Sequence, residues 1–415
     1  MARGEKINPN NVAKRIQIGE TYLFSAQRFY CYQNGIFRSI GDNQIKSIIK
    51  KELGAHSRSY LINEVYTALS LDVNCEPQFL NLSGLNVQNG MLDLSKMTLA
   101  SHDPIYKSTT QLNVYFTPDA ECPLFLETVN EWLGSKEKVE LLQEFIGYCL
   151  TFDTFQEKIL FLVGSGANGK STLLHVIGSI FGVDNTSAIP LDKLSNRFYL
   201  AELFGKLINI TSETPSKSVL CDDVIKSVVS GDLIQAERKF KEPFFFKPNA
   251  KFIVACNEIP RTEDKTDALY RRLLILRFDR TYTEEEQDKT LKGKLIQEKN
   301  GIFNWALEGL KRLRERTYFN EPQESTEERE SYRKENNTLL SFVEEECELC
   351  DQGTTSKNEF YKKYEMWCKE SGLHSLSKPR LGKALREHFK VGEEFEGSAY
   401  NRCRIWTGIV LRNQV

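Results

Sequence analysis

The stretch that most limits what this chain can become is Gly164-Ser-Gly-Ala-Asn-Gly-Lys170-Ser171-Thr172. It follows the apolar run Ile159-Leu-Phe-Leu-Val163 and opens a helical pattern with Leu173, Leu174, Ile177 and Phe181 on one face. Strand, glycine-rich turn and helix is the context that a phosphate-binding loop (P-loop, or Walker A) needs. Glycines let backbone N–H groups curl around phosphate oxygens, and the helix N-terminus adds partial positive charge. Gly164, Ser165, Gly166, Ala167, Asn168, Gly169, Lys170, Ser171 and Thr172 are therefore the expected nucleotide loop. Lys170 is placed to neutralise the β- and γ-phosphates, and Ser171 to ligate Mg²⁺.

At 415 residues the chain calls for two or three domains. A hydrophobic content of 40% with 27% charged residues describes a globular chain, and no apolar run approaches a membrane span. The start, Met1-Ala-Arg-Gly-Glu-Lys, lacks a secretory apolar region, so a cytoplasmic address is expected. The ten cysteines are scattered, which suits free thiols. Cys347-Glu-Leu-Cys350 has metal-like spacing but no second pair, and it sits in an apparent helical pattern. Charge is uneven: residues 321–352 hold eleven acids against three bases, and residues 353–415 hold twelve bases against seven acids. A basic C-terminal module suits nucleic acid, with solvated helix faces as the alternative.

Residues 1–20 show no clear period and read as a flexible arm. Asn34-Gly35 marks a hairpin turn. Helices follow, one capped by Asp42 and stopped by Gly54, one near Ser59–Leu71, and one near Ser135–Leu150. Nothing in residues 1–150 forms a catalytic set.

Beyond the P-loop helix, Lys206-Leu-Ile-Asn-Ile210 is a strand ending in Thr211-Ser212-Glu213. In an ATPase the second strand ends in acids that support Mg²⁺ and activate water. Glu213 fits that base, or is an ordinary strand-end acid; Ser212 stands where a further acid is often found. Arg238, Lys239 and Lys241 lie near the tip of an expected hairpin over 234–248, beside Phe240. Such a tip either grips phosphates and a base or is merely solvated. Lys251-Phe-Ile-Val-Ala-Cys256-Asn257 is a buried strand ending in an amide that can orient water. Arg271 and Arg272 precede a fourth strand, Leu273–Leu276, as transition-state fingers or as surface ion-pair residues.

The ordered set GSGANGKST, INITSE, GD-x-IQAERKFKEPFFFKP, KFIVACNEIP and ALYRRLLILRF resembles the superfamily 3 helicase core of phage and plasmid primase–helicases, relatives of the poxvirus replication ATPase. The resemblance spans about residues 20–315. It implies an α/β fold: an AAA+-type P-loop ATPase core, a mainly helical N-terminal domain and a C-terminal winged-helix domain. Expected boundaries are 1–150, 151–318 and 319–415. It also implies ATP and Mg²⁺ as cofactors, a homo-hexameric ring and movement on single-stranded DNA, usually 3′→5′. Under it, Lys170, Glu213, Asn257, Arg271 and Arg272 are catalytic, Ser171 and Glu213 serve the metal, and Lys239 and Lys241 line the DNA channel. The chain leaves no room for the primase module of many relatives, so a separate primase or replication factor is the expected partner, with no membrane involved.

The C-terminal region reads as helices near Ser331–Leu349, Lys357–Glu370 and Lys378–Phe389, then a strand pair over 398–411. That is a winged-helix pattern, serving duplex DNA through Lys378, Arg380, Lys383 and Arg386 or serving protein contact. The resulting expectation is an ATP-driven replicative helicase of a phage, plasmid or mobile element, working in a bacterial host cytoplasm. The alternative is an origin-binding initiator or loader without processive unwinding. A P-loop kinase is disfavoured by Asn257 and the arginine pair.

Overall fold

Five parallel strands carry the nucleotide loop, ordered across the sheet as Leu273–Arg277, Ile159–Val163, Lys251–Cys256, Ile208–Ser212 and Thr186–Ser187. The computed structural model describes residues 7–212, 220–262, 267–396 and 402–412. The chain divides into two compact units: Met1–Arg261 with Arg271–Thr326, and Thr262–Tyr270 with Glu327–Val415.

The first unit opens on a helix, not a flexible arm. Asn8 accepts a hydrogen bond from the Asn10 amide and Pro9 takes the first helical position, so α1 (Pro9–Gly19) starts there. Its buried stripe is only Val12, Ala13 and Ile16, too short to show as a period among polar neighbours. Strands β1 (Tyr22–Ser25), β2 (Arg28–Gln33) and β3 (Ile36–Ile40) form an antiparallel sheet, with Asn34 and Gly35 at φ 51° and 85° in the expected turn. Helices α2 (Asp42–Leu53) and α3 (Ser59–Asp72) pack Ile45, Ile49, Val65 and Leu69 against Phe29. Gly41, rather than Asp42, is the N-cap of α2, because the Asp42 carboxylate is occupied elsewhere. A second antiparallel meander follows: β4 (Leu85–Val87), β5 (Gly90–Asp93) and β6 (Thr98–Ala100). Two three-stranded sheets make this region mixed, a correction to the mainly helical expectation.

Helix α4 (Pro123–Leu133) leads into α5 (Lys136–Cys149), capped by Ser135. The central layer then runs β7 (Ile159–Val163), α6 (Lys170–Phe181), β8 (Thr186–Ser187), α7 (Arg197–Leu200), β9 (Ile208–Ser212) and α8 (Asp222–Ser230). A separate hairpin, β10 (Ile234–Ala236) with β11 (Phe244–Phe246), precedes β12 (Lys251–Cys256). A short helix, α9 (Asp267–Tyr270), precedes β13 (Leu273–Arg277), α10 (Leu291–Gln297) and α11 (Lys299–Arg316). Strands β7, β12 and β13 are apolar almost throughout, as expected for parallel strands covered on both faces.

Helices α5 and α11 cross at glycines. A Cβ on Gly147 would lie 2.4 Å from the Ala306 carbonyl oxygen, and one on Gly309 2.5 Å from that of Gln143. The buried Glu144 carboxylate beside them takes Arg312 at 2.7 Å and Arg316. One core links Leu85 and Leu92 with Phe145, Leu160 and Phe303, so the expected boundary at residue 150 is not a seam in the packing.

The second unit holds α9 and most of α12 (Gln323–Asn336), then α13 (Thr338–Glu346), β14 (Cys347–Ser356), α14 (Lys357–Glu370), α15 (Lys378–Phe389), β15 (Gly392–Glu396) and β16 (Cys403–Leu411). Its antiparallel sheet runs β14-β16-β15, over a core of Leu339, Phe342, Phe360, Tyr364, Leu385 and Trp406. The single helix expected over 331–349 is broken: the Asn337 side chain accepts from the Leu340 amide and starts α13. Cys347 and Cys350 then fall in β14, not in a helix, and among the described residues no cluster of three metal-ligating side chains occurs. Residues 262–270 join this unit, with Arg333 3.1 Å from Asp267 and Tyr270 packed on Tyr332. Among the described residues no helix is long and apolar enough to cross a membrane.

Candidate active site

The P-loop closes the gap between the end of β7 and α6. The Gly164 amide donates to the Cys256 carbonyl, and the Tyr282 amide to the Ala167 carbonyl, so the loop is held by the strand beside it and by the segment after β13. Gly169 sits at φ +90°, and a Cβ there would come within 2.4 Å of the Trp132 ring. Only glycine satisfies both the backbone and that contact. Lys170 is buried and donates to the Gly164 carbonyl at 2.7 Å and to Asn168 Oδ1 at 2.9 Å. Its ammonium therefore rests on the loop's own oxygens. Burial pulls its pKa below the ordinary value, with the neighbouring Cys256 opposing. A triphosphate would supply the missing counter-charge.

These residues line a cleft of about 1420 Å³. Gly166 to Thr172 form its floor, and Ser212 enters from the end of β9. Asn257 and Glu258 enter from the end of β12. Because β12 lies between β7 and β9, both ends come beside the loop at the carboxyl edge of the sheet. Ser171 is exposed at the first turn of α6 and Glu258 lines the same cleft, so residues that carry hydroxyl and carboxylate oxygens suited to a Mg²⁺ shell are present. Glu213 lies outside the described residues.

The mouth of the cleft was not legible in the sequence. Trp132 and Glu131 come from α4, before the P-loop strand, and Arg280 and Tyr282 from the segment after β13. Glu131 accepts from Arg280 and from the Tyr282 hydroxyl at 3.1 Å, and the guanidinium lies 4.5 Å from the Tyr282 ring centre. Burial and the bond to Glu131 push the Tyr282 phenol up to about 12. No short motif joins residues about 150 positions apart.

The two arginines differ. Arg272 is buried and pairs with Glu157 at 2.6 Å and with the Ser230 hydroxyl at 2.7 Å; Arg271 is exposed. Neither lines the cleft.

At the hairpin, Arg238 is half-buried over the Phe244 ring at 4.3 Å, and Lys241 pairs with Asp42. Lys239 is exposed, and Phe240, at φ +64°, is fully so. In the second unit, Lys378, Arg380, Lys383 and Arg386 all face solvent along α15. Arg386 pairs with Glu393, and Lys383 with Glu387.

Three family profiles match in chain order. "D5 N terminal like" covers residues 10–134, a family of unknown function (DUF5906) covers 162–272, and "Poxvirus D5 protein-like" covers 334–404. Two similar proteins carry helicase names. The L207/L206 protein of Acanthamoeba polyphaga mimivirus is 26% identical over 50% of this chain and 23% of its own length. The V13 protein of Sputnik virophage is 24% identical over 62% of this chain and 35% of its own length. The match thus spans about a quarter to a third of those relatives. Both are viral, and neither speaks for the bacterial host expected from the sequence. The apo structure of the NrS-1 C-terminal region shares the fold, in one form with a TM-score of 0.58 at 14% identity, over 97% of this chain and all of that one. A second form gives 0.58 at 13% identity, over 98% and all. These matches run from the N-terminal sheet to the last helices, and they make the chain similar to D5-like proteins and to viral proteins that carry helicase names.

Proposed function

We propose that the chain is an AAA+-type ATP-dependent DNA helicase motor of a virus, phage, plasmid or other mobile element. Its ring is a homo-hexamer that moves 3′→5′ on single-stranded DNA. The observation that carries this reading is the convergence of the P-loop, the Ser212 end of β9 and the Asn257 end of β12 on one cleft.

Lys170 leaves the Gly164 and Asn168 oxygens to hold the β- and γ-phosphates of ATP. Asn257 orients the attacking water by its amide, and Glu213 takes the proton that the water loses. Ser171 and an acid of this site, Glu213 or Glu258, would hold Mg²⁺, which would supply charge neutralisation to the phosphates. Arg271, exposed and unburdened by the Glu157 pair, reaches a neighbouring subunit's cleft as the transition-state finger. Lys239 and Phe240 offer a cation and an aromatic face to the strand in the channel. The order α13-β14-α14-α15-β15-β16 is that of a winged helix, with α15 presenting Lys378, Arg380, Lys383 and Arg386 to duplex DNA.

Strand displacement on forked DNA with either a 3′ or a 5′ tail tests the reading, alongside Lys170→Ala. Release from the 3′-tailed fork, lost in Lys170→Ala, supports it. ATP-dependent assembly on DNA without any strand release would instead mark an initiator or loader.

A further inference from the structure

The loop between β10 and β11 is held from outside the sheet. Three contacts tie it to the N-terminal sheet and helices, more than 190 residues earlier in the chain. Lys241 Nζ donates to Asp42, at the first turn of α2, and the same carboxylate also accepts from the Tyr66 hydroxyl at 3.0 Å. Arg238 Nη1 donates to the Ala26 carbonyl. Gln27 Nε2 donates to the Glu242 carbonyl at 2.6 Å.

The receiving turn is built for this. Ala26 and Gln27 connect β1 to β2 and both sit at positive φ, 44° and 61°. Residues other than glycine occupy that region at a cost, so their use here points to a task for the turn. The Ala26 carbonyl and the Gln27 side chain both face the loop. Inside the loop, the Lys241 amide donates to the Arg238 carbonyl at 3.0 Å, closing a turn that carries Lys239 and Phe240. Residues 238, 241 and 242 are thus fixed at the loop's base, and 239 and 240 project.

We infer that the N-terminal sheet and α2 form a clamp that sets the reach of this loop, with Asp42 as a positioning residue acting through Lys241. Lys241 serves the clamp and not the strand; within this loop only Lys239 and Phe240 touch nucleic acid. The inference rests on the DNA-binding role proposed for the loop. It adds that grip depends on a domain that contacts no nucleotide, and that two of the three cations near the tip are internal fastenings.

Two measurements on the full chain test it. The first is amide hydrogen exchange over residues 234–247 without DNA. Asp42→Asn speeds exchange there, and Asp42→Glu restores protection; unchanged exchange in Asp42→Asn shows that there is no clamp. The second is fluorescence anisotropy with a labelled oligothymidylate. Asp42→Asn weakens binding about tenfold, the effect of losing one partly buried pair. The reversed pair Asp42→Lys with Lys241→Asp recovers most of the affinity lost by Lys241→Asp alone. A double variant as weak as Lys241→Asp alone overturns the inference, because Lys241 would then contact DNA directly. Tighter binding by Asp42→Asn also overturns it, showing that the loop is held away from DNA. Wild-type protein that binds no oligothymidylate removes the loop's proposed role, and with it the claim that the clamp serves DNA binding. The exchange result still reports whether the clamp exists. DNA-free ATP hydrolysis, measured in parallel, shows that the nucleotide site is intact.

Discussion

Arg272 and Glu157 form an ion pair of 2.6 Å within the chain, while Arg271, one residue earlier, stands in solvent. The pair and the Ser230 bond are both made by the Nη2 of Arg272. Arg272→Ala should therefore act on the fold, lowering stability by about 2 kcal/mol in a denaturant titration. Arg271→Ala should change stability by less than about 0.5 kcal/mol. Its ATP hydrolysis should fall by at least about 10²-fold, as for a lost transition-state arginine. Mixing Arg271→Ala with Lys170→Ala should restore some hydrolysis, since one variant offers an intact loop and the other an intact arginine. Strong loss of stability in Arg271→Ala would contradict this division.

At the P-loop, Lys170→Ala removes the cation that the loop holds ready. ATP hydrolysis should drop about 10²- to 10³-fold, the cost of one preorganised donor. Calorimetric ATP binding should weaken alongside it. Gly169→Ala should be equally inactive by another route, because its Cβ enters the Trp132 ring at a φ of +90°. A second change, Trp132→Ala, removes the clash but not the backbone strain, so it should recover only part of the binding.

The crossing of α5 and α11 allows no added atom. Gly147→Ala and Gly309→Ala should each destabilise the first unit by about 1–3 kcal/mol, the usual cost of overpacking. Glu144→Ala should cost about 3 kcal/mol, because Arg312 and Arg316 would lose their shared partner. Thermal unfolding of the three variants checks both values. No loss in the glycine variants would mean that the helices can move apart.

Stability should also depend on pH through Lys251. It is wholly buried, donates to the Thr151 carbonyl and lies 4.8 Å from the Tyr148 ring centre. Burial pulls its pKa from 10.5 down to about 8, with Cys149 and Asp153 opposing. Between those values the unfolded chain holds the proton and the folded chain has released it, so stability rises with pH across that window. Cys149 works the other way above its ordinary 9.0, since burial pushes its thiol up to about 12. Comparison with Lys251→Met isolates the lysine. From pH 7.5 to 9, wild-type Tm should gain on the variant by about 2 °C. A constant difference would show that Lys251 does not titrate there.

What could be read from the sequence was whatever has a short-range cause. The loop at 164–172, the strands at 159–163 and 251–256 and the Asn34-Gly35 turn follow from local period and turn chemistry. Helix α1 escaped because three buried residues among eleven leave no visible stripe. Asn337 looked like a mid-helix residue until its side chain was seen to cap α13. The mouth of the cleft joins Glu131 to Arg280, and the loop joins Asp42 to Lys241. Such pairings depend on tertiary packing, which no local pattern encodes. The same holds for the two arginines, alike on paper and opposite in burial.

The hairpin and the nucleotide cleft are joined through strand β12. From Phe246 the chain needs only residues 247–250 to enter β12, and Asn257 follows directly on its last residue, Cys256. Six residues of extended chain span about 20 Å, and a strand hydrogen-bonded on both sides scarcely stretches. On the proposed reading, the loop that holds the nucleic acid and the amide that meets the γ-phosphate lie on either side of one stiff strand, the loop reaching it through β11 and residues 247–250. What disturbs the strand at its entry is felt at Asn257, with no separate lever between them.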